Sequence, residues 1–485
     1  MNFARDVVDS ADPAQLALVE ITRSGARHEW SFGAVAAASH AYAARFAALG
    51  VRRGDVVMTL IGNRPEWVLS LVACFRIGAV ALPCNEQLRP ADLRTRLDAA
   101  EPRLVVCDER NLATLSAAAP ACEVLVLPDA LLLATSTGGG HVEPVAAAEL
   151  GPEEPALITF TSGTTGEAKG VVHGQRYLCG QRLQAEHWLA PASGDLVWCT
   201  AASGWSKSAR NSFIAPWLRG AAALLHDARF DPEQRLDILA QERVNVLCMA
   251  PTEYRVIAKR ATLGAYPWLR GLVAAGEALN PEVLRAWHEA TGLEIRDGYG
   301  QTETGQLTGN PPGERARPGS MGRPLPGVVL DVVNGELVLS APNSDPTFFV
   351  GWLGGEPAPV DQPWHTGDLV SRDEDGYLHF EGRRDDLIIT AGYRVGPFEV
   401  ESALVSHAAV AEAAVVAAPD EERGAVVRAV VVLAPGFTAS DRLVRELQQH
   451  VREQTAPYKY PRIIEFAEAL PKTASGKVQR ALLRR

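Results

Sequence analysis

A chain of 485 residues, 47% hydrophobic and 22% charged, has the balance of a soluble globular protein and length enough for two to four domains. A net charge of −11 argues against a broad nucleic-acid footprint while leaving room for a local basic pocket around a phosphorylated ligand. The seven scattered cysteines form no CxxC pair and the eleven histidines no HExxH, which predicts reduced thiols in a cytoplasmic enzyme and no protein-ligated metal cage. Met1 to Thr22 has no basic segment leading into an apolar core, and no run of about 18 uncharged apolar residues occurs, so neither a signal peptide nor a membrane span is expected.

From Trp30 onward the chain alternates helix- and strand-like runs. An alanine-rich helix over Gly33 to Leu49 ends at Gly50, Val56 to Ile61 reads as a strand, residues 66 to 78 as a helix and Ala79 to Pro83 as a strand. The rhythm continues through Leu104 to Cys107 and Val124 to Leu127, and predicts an α/β layered core with a largely parallel sheet.

Ala156 to Phe160 then reads as a buried strand running into Thr161 to Gly170, TSGTTGEAKG. Gly163, Gly166 and Gly170 let the backbone turn tightly and bring N–H groups to a ligand. The hydroxyls of Thr161, Ser162, Thr164 and Thr165 add donors and Lys169 a positive charge, which is the chemistry of a phosphate cradle. It is not the Walker pattern, and a plain flexible surface loop is the alternative. A helix is expected over Val171 to Trp188, its N-terminus facing the anion.

Gly204 to Ser208, GWSKS, is a turn of unusual side chains. Strands over Val244 to Met249 and Val273 to Ala275 end at Pro251 and at Gly276-Glu277, and ligands sit at strand ends of α/β sheets. In Asp297-Gly298-Tyr299-Gly300-Gln301-Thr302-Glu303-Thr304-Gly305, Tyr299 suits a base, Thr302 a phosphate and Glu303 a Mg²⁺ that takes one carboxylate plus phosphate oxygens. Residues 320 to 380 turn to short β runs with many Pro and Gly, suggesting a small barrel-like subdomain. Near its end Asp368, after a Thr-Gly turn, suits a ribose diol. Gly382 to Asp386 is a charged break. Beyond it Pro397 opens a helix, two strands and a further helix make an α+β module, and a basic segment closes on Pro471 to Lys477.

Five motifs in this order, TSGTTGEAKG, DGYGQTETG, WHTGDLV, GRRDDLIITAGYRVGPFEVESAL and PKTASGKVQR, resemble the adenylate-forming superfamily over about Trp30 to Arg485. GYGQTETG, APYKYPR at 456 to 462 and LPKTASGKVQR are similar to its medium-chain acyl-CoA synthetase branch, and benzoate-type ligases share much of this. Glu167-Ala168 departs from the family, which usually carries a Pro before the Lys. The resemblance implies a large N-terminal domain, 1–384, of two layered α/β sheets plus a β-barrel subdomain at about 320–380, and a small mobile α+β domain, 385–485.

It also implies an AMP-forming acid:CoA ligase that turns a medium-chain fatty or aromatic acid, ATP and CoA into acyl-CoA through acyl-AMP. A free-standing enzyme loading a carrier-protein thiol is the alternative, and a nucleotide sensor without chemistry a third reading. The implied catalytic residues are Lys477, Thr302 and Glu303, the last on Mg²⁺. ATP and AMP contacts fall to the 161–166 loop and Lys169, to Gly276, Glu277 and Ala278 about the adenine, to Asp297, Gly298, Tyr299 and Gln301, to Asp368 with Arg383 on the ribose, and to Arg394. Trp205 and Lys207 are implied for the acyl pocket, Gly392, Tyr393 and Arg423 for CoA, and Asp385 for the hinge. A monomer or homodimer is implied, as is a lysine acetyltransferase acting on Lys477.

Overall fold

The short apolar runs of the first half become buried parallel strands. Glu123–Leu127, Leu104–Asp108, Val56–Leu60, Val80–Cys84 and Pro155–Thr161 lie side by side in that order, all parallel. Strands covered on both faces must be apolar throughout, and that makes them readable. A second sheet runs from Arg27–Ser31 through Leu16–Ile21, Ala222–His226, Leu196–Cys199, Val246–Met249, Gly271–Ala275 and Ile295–Gln301 to Gly305–Gly309 and Arg323–Pro324. Its centre is parallel and its margins antiparallel. One core joins the two: Val57, Ala81 and Leu104 meet Leu18, Ala223 and Leu225 across Trp67, Phe75, Phe213 and Trp217. This is the expected two-layer α/β architecture.

The computed structural model describes residues 1–129, 132, 143–161, 168–277, 279, 281–390, 393–420, 423–472 and 478–484. The expected site residues Ser162, Gly163, Thr164, Thr165, Gly166, Ala278, Gly392 and Lys477 lie outside the described residues. Among the described residues no helix is long and apolar enough to cross a membrane.

One expected element is corrected. Val171 does not open a helix: Lys169–Gly174 is a strand, antiparallel to Pro155–Thr161, with Thr161 opposite Lys169, and helix begins only at Gln175. The β-branched pair Val171-Val172 favours an extended chain, and the pairing covers the sheet margin. The glycine-rich segment therefore joins two antiparallel strands, so no helix dipole follows it directly.

The β subdomain is a four-stranded antiparallel sheet in the order Leu330–Val333, Glu336–Leu339, Trp364–Arg372, Leu378–Arg383. Residues from Ile388 to Val451 build a separate core of Val395, Val400, Leu404, Val415, Val427, Leu443, Leu447 and their neighbours. Its helix Asp441–Gln454 is capped by the Ser440 hydroxyl, which accepts from Leu443 N at 3.2 Å, and buries Leu443, Leu447 and Val451 at four-residue spacing.

Candidate active site

Ile295–Gln301 and Gly305–Gly309 form a hairpin whose turn carries Thr302, Glu303 and Thr304. The arms approach so closely that a Cβ on Gly300 would stand 1.8 Å from the Gly305 carbonyl oxygen, so only glycine fits there. The turn is pinned from outside: Phe349 N donates to the Glu303 carbonyl at 2.8 Å, and the Thr347 hydroxyl to the Thr304 carbonyl at 2.6 Å.

Asp368 does not follow a turn, as expected, but lies inside the strand Trp364–Arg372, where Gly367 at φ 72° makes a bulge. The Glu336 carboxylate holds that bulge, accepting from Gly367 N and from Arg384 Nη1, both at 2.9 Å. Asp368 is 4% exposed. Its Oδ2 accepts from the Tyr299 hydroxyl at 2.5 Å and from Gln301 Nε2 at 2.9 Å, and its Oδ1 from Arg383 Nη1 at 3.1 Å. Gln301 also donates to the Thr366 carbonyl at 2.7 Å and accepts from Trp364 Nε1 at 3.1 Å. Tyr299, Gln301, Asp368 and Arg383 are thus brought together as expected. Trp364 and Glu336, which sequence reasoning assigned no role, complete the corner. The Trp364 position within WHTGDLV was the available signal.

Two expected contacts point elsewhere. Asp297 is buried, its carboxyl accepting from Gly298 N at 2.9 Å, and burial pushes it well above the usual carboxylate range. It sits in the interior, where burial disfavours its charged form. Lys207 donates its Nζ to the Ala275 carbonyl at 3.0 Å and lies 5.6 Å from the Trp205 ring centre. It therefore supports the Gly276 turn as well as flanking Trp205. Trp205 itself is half-buried against a core that includes Val171, Cys199, Val246 and Leu307.

At the other side of that turn the Thr252 hydroxyl donates to Glu277 at 2.6 Å. Burial lowers Arg480, and the fields of Glu401, Asp386 and, least, Glu277 together raise it above its ordinary value. Arg480 is locked to the buried Glu401, both oxygens at 2.8 Å, and faces Asp386 at 3.7 Å. Arg484 pairs with Asp386 and donates to the Asp385 carbonyl at 3.2 Å. Val478 forms an antiparallel bridge with Lys472.

Lys169 is exposed, its Nζ 5.7 Å from the Trp352 ring centre. Tyr393, 54% exposed, stacks on Tyr458 with ring centres 4.4 Å apart, and Arg394 pairs through its backbone with Ile389. Arg423 stands at the tip of the hairpin Val410–Asp420/Gly424–Leu433, its N–H on Asp420 at 2.9 Å. Among the described residues no group of three or more His, Cys, Asp or Glu side chains stands ready to hold a metal ion.

A family model described as AMP-binding enzyme matches residues 7–344, and one described as AMP-binding enzyme C-terminal domain matches residues 399–477. The chain is 39% identical to the mitochondrial acyl-coenzyme A synthetase ACSM4 of Rattus norvegicus over 522 residues, covering 100% of this chain and 90% of that one. It is 37% identical over 499 residues to the uncharacterized acyl–CoA ligase YtcI of Bacillus subtilis, covering 98% and 94%. The crystal structure of a benzoate CoA ligase from Burkholderia xenovorans LB400 superposes with a TM-score of 0.87 at 26% identity, covering 100% of both chains.

Proposed function

Since the chain belongs to the AMP-binding enzyme family and is an AMP-forming acid–thiol ligase, we propose that it activates a medium-chain fatty or aromatic carboxylic acid with ATP and transfers the acyl group to CoA. In the first step the acid's carboxylate oxygen attacks the α-phosphorus and pyrophosphate leaves. In the second the CoA sulfur, losing its proton, displaces AMP from the acyl carbon.

The observation that carries this reading is the Asp368 corner. A buried carboxylate held by three donors is a rigid acceptor for ribose hydroxyls, and it stands one hairpin turn from Thr302 and Glu303. A carboxylate offers about four lone-pair sites, so one remains for a ribose hydroxyl without disturbing the corner. Tyr299, with its hydroxyl committed to Asp368, offers the base its ring rather than a hydrogen bond. Gly276-Glu277-Ala278 closes the adenine side, the 161–166 loop with Lys169 surrounds the phosphates, and Trp205 flanks the acid.

Glu303, a hard oxygen donor on a pinned turn, fits a Mg²⁺ bound by one carboxylate and phosphate oxygens. Such an ion neutralises charge on the triphosphate. In our reading Lys477 faces the acid carboxylate and the α-phosphate during adenylation. The division falls at 384/385, with Asp385 as hinge, and a rotation there withdraws Lys477 and brings the Gly392-Tyr393-Arg394 segment to the pantetheine path, Arg423 meeting the CoA phosphates. Seven free thiols suit a reducing compartment, and the cytoplasm is the one we propose.

The test is a panel of carboxylic acids with ATP and CoA, followed by pyrophosphate and AMP release. Lys477→Ala should cut acyl-AMP formation about 10²-fold or more while sparing thioester formation from supplied acyl-AMP. Equal loss of both steps refutes its role. AMP release that requires a carrier-protein thiol and ignores CoA refutes the acceptor.

A further inference from the structure

Four arginines are buried among the described residues, two of them beside a carboxylate and a third bonded only to backbone carbonyls. Arg76 is paired with Asp9 at 2.7 Å, Arg235 faces Glu253 at 3.5 Å, and Arg296 donates to the Trp188 carbonyl at 2.9 Å. Arg210, 4% exposed, has no carboxylate beside it, and its Nε and Nη1 make no hydrogen bond. Around it the Tyr177 hydroxyl and both ring nitrogens of His173 find no well-formed partner, the nearest contacts being Tyr177 to Arg210 itself and His173 to the backbone of Thr302. His173 stacks on Tyr177 at 3.9 Å between centres, and the charge of Arg210 acts on both.

This cluster borders the site. Arg210 follows Lys207 by one helical turn on the segment that begins at Trp205, and His173 lies against the backbone of Thr302. Water can satisfy a guanidinium's N–H groups but not its charge. An uncompensated buried cation costs several kcal/mol, which an apolar residue of similar size avoids. A carboxylate meets both needs at once, through two parallel hydrogen bonds.

We propose that the acid activated here carries a second carboxylate, and that Arg210, with the Tyr177 hydroxyl, receives it while the first is activated beside Thr302. The substrate class is a dicarboxylic acid of medium length or built on an aromatic ring. This rests on the ligase reading and narrows it.

The experiment uses the full chain with ATP, CoA and matched probe pairs: hexanoate and adipate, octanoate and suberate, benzoate and terephthalate. For at least one pair the diacid should exceed the monoacid in kcat/KM by about 10-fold or more, the worth of a charge-assisted pair. Arg210→Leu should reverse that preference about 100-fold with the KM for ATP unchanged, and Arg210→Lys should restore part of it. Monoacids winning every pair in the unmodified enzyme, or Arg210→Leu slowing both members of a pair alike, would overturn the inference and leave the ligase reading standing. No AMP from any acid would overturn both. Should the Arg210 variants fail to fold, melting of the unmodified chain with each probe decides: a rise with the diacid and none with its monoacid supports the assignment, and the reverse ends it.

Discussion

The Asp368 corner and the Arg210 cluster are built from similar parts and stand in opposite states. At Asp368 a buried carboxylate meets a hydroxyl, an amide and a guanidinium, each within 3.1 Å. At Arg210 a buried guanidinium has no carboxylate beside it among the described residues, and its Nε and Nη1 find no well-formed partner. A finished network is rigid before its ligand arrives, and an unfinished one stores an unmet charge until a ligand brings the missing half. In the proposed function the nucleotide never changes, so a corner that holds it can be completed in advance. The acid is what must be selected, and the unmet charge is an instrument of selection.

The largest effect should come from breaking the finished side. Asp368→Ala strips three donors at once and leaves Arg383 half-buried without its carboxylate, a loss of about 3–5 kcal/mol for a buried pair. The KM for ATP in pyrophosphate release should rise about 100-fold or more, with Asp368→Asn falling between. An ATP KM within a few-fold of the parent enzyme would show that this corner does not hold the nucleotide.

The next effect has opposite signs on the two sides. Arg76→Leu leaves Asp9 without its partner and should cost about 3–5 kcal/mol in urea unfolding. Arg210→Leu removes an uncompensated charge and should stabilise the ligand-free chain by about 1–3 kcal/mol. Destabilisation by Arg210→Leu of the size seen for Arg76→Leu would mean that Arg210 is already compensated, and the contrast would collapse.

How far this was legible follows from the range of the interactions. Val56–Leu60 and Leu104–Asp108 were readable because strands buried on both faces are apolar along their whole length. Lys169–Gly174 was misread because Val171-Val172 fits helix or strand alone, and only pairing with Pro155–Thr161 decides. Asp368 and Tyr299 stood out as residue types, but their bond spans 69 positions and no local pattern announces it. Lys207 was placed by its neighbour Trp205, and its amine went to Ala275, 68 residues on. Arg210 gave no signal: an arginine among Ser, Ala and Asn reads as a solvated helix face, and only packing puts it inside.

The smallest effect tests the unfinished side through proton binding. His173 is fully buried, and desolvation first, then the repulsion of Arg210, pushes its imidazole down to about 3 from an ordinary 6.5. Folded protein therefore keeps this ring neutral where the unfolded chain protonates it. Above about pH 6.5 the ring is neutral in both states and contributes nothing to the pH dependence. As pH falls from 6.5 towards 3 the unfolded state takes up a proton that the folded state refuses, and stability drops by up to about 1.4 kcal/mol per pH unit. His226, held down to about 4 by burial and Arg235, adds a similar slope, so the informative quantity is the difference between the parent chain and His173→Phe. That difference should be flat from pH 8 to 7 and then open by about 1–2 kcal/mol towards pH 5 in urea unfolding. Parallel stability curves for parent and His173→Phe across that range would mean that the imidazole takes up its proton in the folded state as readily as in the unfolded one, which a ring sealed beside an uncompensated guanidinium cannot do.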